Sequence, residues 1–406
     1  RLTDVTGVQT CALPILGETQ FSYMMVAFGY FFGYVVIALV LLPLYYRLKL
    51  TSIYGYLEQR FGFWSYKTGA GFFIISRVLG ASLRMFLVIN VLQIFVFDAW
   101  NIPFWVNVAI FIALIIAYTL KGGIRTIIWT DTLQTTFMLL AVVLSVYYIS
   151  KELGAPVFSL MGDLFDSDLS RVVITDWDHP RHFIKQFFSG MFITITMTGL
   201  DQEMMQKNLS ISRLKDAQKN MFTFSTINVV VVFMFLVLGA FLVLYAAERG
   251  VTVAMTDDLF PTIAFRYLGP AAGVVFLIGL ISAAFPSADG ALTSLTTSFS
   301  IDFLGLEKNK VMADGRKTRI RYSVHISFAL VFFICILIFR QMNDRAIIDK
   351  LFTIAGYTYG PLLGLYTFGL FTKLHVNDRV TPWIAISSPI ICYVLNIFSE
   401  ELFNGY

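Results

Sequence analysis

Apolar stretches of about the length of a bilayer crossing recur along the whole chain. A transmembrane helix needs about 20 apolar residues to cross a hydrocarbon core about 30 Å thick. Ten segments answer to that description: 21–46, 68–97, 102–120, 124–149, 183–201, 220–246, 268–301, 321–340, 347–372 and 380–398. The third is short but bounded by "DAWN" and "KGG", and the seventh is long enough to tilt, kink or extend beyond the bilayer. Composition agrees. Of 406 residues, 57% are hydrophobic and only 14% charged, where a soluble domain is about a quarter charged. Without water, every backbone N–H and C=O must be bonded within the protein. The expected fold class is therefore all-α, a polytopic transmembrane helix bundle.

Lys and Arg set its orientation, because basic loops stay cytoplasmic. The loops 47–67, 121–125, 203–219, 302–321 and 373–379 carry most of the basic residues between spans. The alternate loops carry fewer, together with the acidic run "MGDLFDSDLSRVVITDWD". The first set is expected inside, with the first span running inward. Residues 51–65, "TSIYGYLEQRFGFWS", fit a short amphipathic helix with Tyr54, Leu57 and Phe61 on one side, either an interfacial helix or a gate element. A net charge of +4 does not suggest nucleic acid, and three Cys, two of them in apolar runs, imply no disulfide framework. No metalloprotease His pair, P-loop, Cys-pair metal site or nucleophile elbow occurs, so an enzyme is not expected. The opening "RLTDVTGVQTCALPI" matches nothing around it and reads as translated sequencing adaptor, a short native tail being the alternative. The expected organisation is a non-native segment 1–15 and one transmembrane transporter domain, 16–406, cut at both ends.

Charges at membrane depth are rare and face a cavity or a partner. Arg77 and Arg84 share a face of the second span. Asp131 lies in "IIWTDTLQTTF" with Gln134 a turn on, and Asp289 lies beside Ser287 in the seventh span. Counting about 1.5 Å per residue, Asp131, Arg77 and Asp289 all fall near the midplane or inner half. They are expected either to tie helices together by ion pairs, with Arg77 and Arg84 compensating the acids, or to form a cation or proton site. Pro286 has no N–H for the Ser282 carbonyl four residues back. A freed carbonyl beside hydroxyls is what Na⁺ needs in place of water, and transporters put broken backbone at the midplane. A plain proline kink is the other reading. In "FFSGMFITITMTGLDQEMMQ", Thr194, Thr196, Thr198 and Gly199 weaken the helix before Asp201 and Gln202, so an unwound segment facing substrate or a small-residue packing face is expected. The Gly-rich "GYTYGPLLGLYTFG", which contains Tyr357, suggests a hinge or close packing.

Four stretches together resemble the sodium/solute symporters, which share the leucine-transporter-like inverted-repeat fold: "LPLYYRLKLTSIYGYLEQRFG", "YTLKGGIRTIIWTDTLQ", "TGLDQEMMQKNLSISRLKDAQKN" and "SAAFPSADGALTSLTTSFSIDF". They run in the family's order over about residues 21–373, the second departing from the usual pattern at Ile124 and Thr126. The resemblance implies core helices 2 to 10 plus one later helix, with the first core helix absent. It implies a main sodium site whose eighth-helix half uses the Ala283 carbonyl and the positions of Pro286 and Ser287, one hydroxyl short of the pattern. It implies a second cation or proton site at Asp131, Asp289 and Gln134, with Gly290 where some members carry a serine. Substrate-proximal candidates are Tyr30, Thr198, Asp201, Gln202, Thr353 and Tyr357. With Ala27, Tyr30 and Thr353 at the sugar-contacting positions, a galactose-type substrate is not expected.

The implied activity is Na⁺-coupled symport of a small organic solute by alternating access, in a bacterial inner membrane. Na⁺ is the expected coupling ion, no organic cofactor is expected, and the partners are the solute and the lipid bilayer. Proton coupling through Asp289 and Asp131, or a symporter-like sensor domain, are the alternatives.

Overall fold

A computed structural model describes residues 20–50, 52–167, 170–179, 181–253, 258–342 and 347–398; within them, the side chains of 20, 121–128, 284, 286, 342 and 347–355 are not described. Residues 1–15, expected to be non-native, lie outside that set. Among the described residues the secondary structure is helical, with no strand.

The first helix, α1 (Tyr23–Val36), passes through a π turn, Ile37–Leu41, into α2 (Leu42–Leu48). A short α3 (Gly55–Arg60) leads to α4 (Phe63–Leu92), α5 (Phe104–Leu153) and α6 (Val157–Phe165). Helix α7 (Phe183–Thr194) ends in a π turn, Ile195–Gly199, and α8 (Gln202–Leu209) follows. Then come α9 (Leu214–Arg249), α10 (Leu259–Thr262), α11 (Pro270–Ser298), α12 (Asp314–Met342), α13 (Ile347–Phe371) and α14 (Thr381–Ile397). Among the described residues, seven helical stretches are long and apolar enough to cross a membrane: Tyr23–Leu48, Phe63–Trp100, Trp129–Leu153, Leu214–Arg249, Pro270–Phe303, Asp314–Gln341 and Asp378–Ile397. The other three expected spans are also helical, as Phe104–Leu120, α7 with its π turn, and α13.

One local expectation is corrected. The expected loop 121–125 does not interrupt the helix at Gly122 and Gly123, and α5 runs unbroken for 50 residues. At about 1.5 Å per residue that is roughly 75 Å, more than twice a hydrocarbon core. Two glycines cost a helix only about 1 kcal/mol each, and no proline stands nearby to remove a donor.

Helix α11 lies against α5 and α4, and α1 lies against α7 and α9. The α1–α7 contact is backbone to backbone. A Cβ at Gly29 would run into the main chain of Phe187–Met191, and one at Gly190 into that of Val26. Small residues permit this approach, and in a membrane close packing rather than hydrophobicity holds helices together. Two apolar clusters result. One joins α2, α3, α4, the start of α5, α12 and α13. The other joins the start of α1, the end of α5, α6 and α9, and reaches Ala283 on α11. Buried polar side chains form a layer on α4, α5, α8 and α11, among residues of the first cluster.

Candidate functional site

The layer begins where the chain leaves helix α7. Thr194, Ile195, Thr196 and Thr198 are β-branched, and Gly199 is the weakest helix former after proline. The helix widens into the π turn at Ile195 and stops at Leu200. The carbonyls released there are taken up from elsewhere in the chain. Tyr45 donates its hydroxyl to the Gly199 oxygen at 2.9 Å, and Tyr54 to the Leu200 oxygen at 3.0 Å. Burial and the nearby Asp201 hold the Tyr54 phenol well above the usual range, so it stays a donor. The Ile53 N–H donates to Gln202 Oε1 at 2.9 Å. The amphipathic stretch 51–65 thus braces the break: Tyr54 and Leu57 are fully buried, on the side the pattern assigns them.

Asp201 restarts the helix. Its Oδ1 accepts from the N–H groups of Glu203 (2.9 Å) and Met204 (3.2 Å), capping α8 and satisfying two donors that would otherwise be orphaned. Its Oδ2 accepts from the Tyr359 hydroxyl at 3.3 Å and lies 3.6 Å from Arg77. One turn of α8 then carries two charged groups four residues apart. Glu203 pairs with Arg77 of α4, and Lys207 Nζ lies 3.3 Å from Glu203 Oε1 and 2.9 Å from Asp131 Oδ2 on α5. Arg77 and Lys207 are each 5% exposed and Asp131 is 1% exposed. The other Asp131 oxygen, Oδ1, is buried with no hydrogen-bond partner among the described residues.

Across from this chain of charges, α11 presents Asp289, fully buried, which accepts from the Tyr118 hydroxyl of α5 at 2.9 Å. The Gln134 side chain faces the same phenol, and Asp131 and Lys207 are close enough to act electrostatically on Asp289. Glycine at 290 is what lets α8 close down here, because a Cβ would occupy the space taken by the Glu203 carboxylate. Four carboxylates (Asp131, Asp201, Glu203, Asp289) thus share one buried layer with three cationic side chains, Arg77, Lys207 and the half-buried Arg84. Counted over the described residues with every group ionised, the layer carries surplus negative charge.

Of the residues singled out by sequence, Asp131, Asp289 and Gln134 come together around Tyr118. Arg77 is buried but pairs with Glu203 and Asp201 rather than compensating Asp131 or Asp289; Lys207 takes Asp131. That corrects the expected pairing, and the cause is α8, which folds inward although its polar sequence reads as loop. Ala283 and Ser287, four apart, share one buried face of α11. Asp289, two further on, points about 200° away by helical rotation, so the two halves of the expected ion machinery occupy different faces. The backbone is helical from Pro270 to Ser298, through Pro286, whose missing N–H leaves the Ser282 carbonyl without its helical donor; the Pro286 side chain lies outside the described set. Thr198 is buried in the π turn. Tyr30 on α1 shares a 2.8 Å hydrogen bond with Tyr23. Tyr357 packs edge-on against Tyr393 of α14, while Tyr359, on the opposite side of α13, is the tyrosine that reaches Asp201. The Thr353 side chain is outside the described set.

Lys207, Glu203, Tyr118 and Tyr359 are missing from the expected site. For the first two a signal exists: Glu at i and Lys at i+4, behind an Asp in N-cap position, is a helix start with an intrahelical ion pair. The two tyrosines sit in apolar runs and carry no local mark.

Comparison with known proteins fits this architecture. The chain is 24% identical over 365 residues to the sodium-dependent multivitamin transporter of Oryctolagus cuniculus, covering 86% of this chain and 55% of that protein. It is 25% identical over 388 residues to the sodium-coupled monocarboxylate transporter 1 of Mus musculus, covering 89% and 61%. It is 22% identical over 380 residues to the sodium/sialic acid symporter SiaT of Proteus mirabilis, covering 91% and 75%. The chain therefore spans a little over half the length of the first two. A solved structure of a Na⁺-coupled sialic acid symporter, substrate-bound and outward-open, has the same fold, with a TM-score of 0.74 at 18% identity over 99% of this chain and 90% of that one. The sequence profile of the sodium:solute symporter family matches residues 18–380, so the chain is a multi-pass membrane protein that belongs to the sodium:solute symporter family.

Proposed function

We propose that this chain is the transport core of a Na⁺-coupled symporter for a small organic solute, working by alternating access in a bacterial inner membrane. The observation that carries the reading is the surplus, among the described residues, of buried carboxylate over buried cation between α4, α5, α8 and α11. An uncompensated charge away from water costs several kcal/mol, so such a layer needs one more monovalent cation or a proton. Among the described residues, Asp131 Oδ1 and Gln134 Oε1 are buried oxygens of this layer without a hydrogen-bond partner. On the other face of α11, the Ser287 hydroxyl and the Ala283 carbonyl are hard oxygen donors of the kind Na⁺ takes. Both donor sets fit Na⁺, and a cation held at Asp131 would supply the positive charge the layer lacks.

The chain's own groups do the rest. Tyr118, which the Gln134 side chain faces, holds Asp289 toward α5, and Lys207 holds Asp131 toward α8. The break at Leu200–Asp201 is fastened to residues 45–54 by tyrosine hydroxyls, so movement of α7–α8 is transmitted to the segment between α2 and α4. Loading of the carboxylate layer thereby biases the packing of one helix group on the other, which is what coupling requires. Thr198, Asp201, Gln202 and Tyr30 remain the substrate-side candidates.

Equilibrium binding of ²²Na⁺ to the purified protein tests this. Saturable binding is expected, displaced by unlabelled Na⁺ but not K⁺, and weakened at least tenfold by Ser287→Ala or Asp131→Asn. Absence of saturable binding, with solute counterflow indifferent to Na⁺ but steep in pH, would replace Na⁺ by a proton carried on Asp289.

A further inference from the structure

Away from the polar layer, α12 and the π turn Phe299–Phe303 that follows α11 enclose a groove of about 780 Å³. Its lining includes Phe299, Arg316, Arg319, Val324, Phe328 and Val331. The two ends differ in chemistry. Arg316 and Arg319, three residues apart, lie on one face within the first two turns of α12 and are exposed. Among the described residues, neither guanidinium pairs with a carboxylate. Further along, Phe299 meets Phe328 edge-on at 5.7 Å to form an apolar floor, with Val324 buried beside it and Val331 exposed at the far end. Ser323 and Ser327 donate to main-chain oxygens four residues back, at 3.2 and 2.8 Å, so their hydroxyl protons are spent within the helix.

Arg316 to Val331 is a rise of about 22 Å along the helix, and one leaflet of hydrocarbon is about 15 Å deep. The groove therefore starts at the membrane surface and continues into the acyl region of a helix apolar enough to span the bilayer. Its charged end belongs to the most basic of the expected cytoplasmic loops, on the side where anionic lipids gather.

We propose that this groove binds an anionic phospholipid, its phosphate held by Arg316 and Arg319 and one acyl chain lying along Phe299, Phe328 and Val331. A free phosphate would use the arginines and leave the apolar floor uncovered. A zwitterionic lipid would cover the floor but bring a cationic headgroup to two unpaired guanidiniums. An anionic lipid meets both ends.

Lipid titration of the delipidated full chain, read by native mass spectrometry, tests the assignment with palmitoyl-oleoyl phosphatidylglycerol and the matching phosphatidylcholine. The first phosphatidylglycerol is expected to bind at least tenfold more tightly than phosphatidylcholine. Each arginine removed should weaken it about fivefold, so Arg316→Ala with Arg319→Ala brings it close to the phosphatidylcholine value. Arg316→Lys with Arg319→Lys should retain most of the preference, which separates loss of charge from misfolding. Val331→Trp, filling the apolar end, should weaken both lipids alike. Equal affinity for the two lipids in the unaltered protein, or a preference untouched by the double alanine variant, overturns the proposal. So does a dimer that the double alanine variant abolishes, since the groove would then be an interface between copies. Inorganic phosphate competing as strongly as lipid would also overturn it, by reducing the site to an anion site without an acyl component.

Discussion

Two ion-pair systems in this molecule use the same side-chain chemistry in opposite surroundings. Lys207 sits between Asp131 and Glu203 in the interior, every partner at most 6% exposed. Lys308 meets Glu58 at the expected cytoplasmic surface at 2.9 Å, with side chains 72% and 37% exposed. The nitrogen–oxygen distances are the same, 2.9 Å in each case. What differs is what happens when one partner goes. At the surface, water takes the vacated place. In the interior nothing does, and the remaining charge must be protonated, hydrated at the expense of packing, or expelled. Contact geometry alone therefore says little about how much an ion pair matters.

The largest effect should come from breaking the interior system. Lys207→Met leaves Asp131 and one side of Glu203 uncompensated, and loss of one partner of a buried pair costs about 3–5 kcal/mol. Thermal unfolding in detergent should show a midpoint lower than that of Gly290→Ala, Asp378→Ala or Lys308→Ala. The double variant Lys207→Met with Asp131→Leu removes both charges and should recover more than half of the loss. A double variant no better than the single would mean that the pair is not the source of the effect.

Next comes the packing that puts Glu203 there. Gly290→Ala drives a methyl group into the Glu203 carboxylate, and overpacking of this kind costs about 1–3 kcal/mol. Adding Glu203→Asp, which draws the carboxylate back by one methylene, should return part of it. An intermediate case lies where the loop before α14 caps α4. Asp378, half-buried, accepts from the N–H groups of Trp64 (2.8 Å) and Ser65 (2.7 Å) and from the Ser65 hydroxyl (2.6 Å). Arg60 braces the same junction by donating to the Thr372 and Leu374 carbonyls at 2.8 and 3.0 Å. Asp378→Ala should cost about 0.5–2 kcal/mol, the range for a missing cap, and Asp378→Asn less. If Asp378→Ala destabilised as much as Lys207→Met, burial would not be what ranks these interactions.

The same contrast explains what is visible in the sequence. Charge at membrane depth is rare enough to mark Arg77, Asp131 and Asp289 without any structure, and all three are buried in one layer. Helical periodicity locates the buried side of Tyr54 and Leu57 in the same way, and the β-branched run before Asp201 locates the end of α7. Their partners are not legible. "QEMMQKNL" is polar enough to read as a solvated loop, and only tertiary folding turns it inward against α4, α5 and α11. Sequence pattern therefore matches Arg77 to the wrong acids and leaves Lys207 as a loop charge. Tyr118 and Tyr359 lie in apolar runs where an aromatic ring is ordinary, and only their hydroxyls' positions in space single them out. At Gly122–Gly123 the discrepancy is of the opposite kind: a strong local turn signal is outweighed by the helix on either side.

The smallest effect should come from the surface pair, and it is the one that most sharply tests the comparison. Lys308→Ala removes an ion pair at 2.9 Å, as short as the interior one, yet exposed pairs are worth about 0–1 kcal/mol. Lys308 also stands 6.0 Å from the Tyr66 ring, and removing that cation–π interaction along with the ion pair adds about 0.5–1 kcal/mol at an exposed site. The midpoint of unfolding should fall by little, and the difference from the unaltered protein should vanish at about 1 M salt, where charges are screened beyond about 3 Å. Lys207→Met should keep its full deficit when that salt is choline chloride, because bulk screening does not reach the buried pair between α5 and α8 and choline is too large to take the place of Na⁺ there. A salt-insensitive deficit for Lys308→Ala, or a salt-sensitive one for Lys207→Met, would show that the two pairs share one environment and would undo the distinction between them.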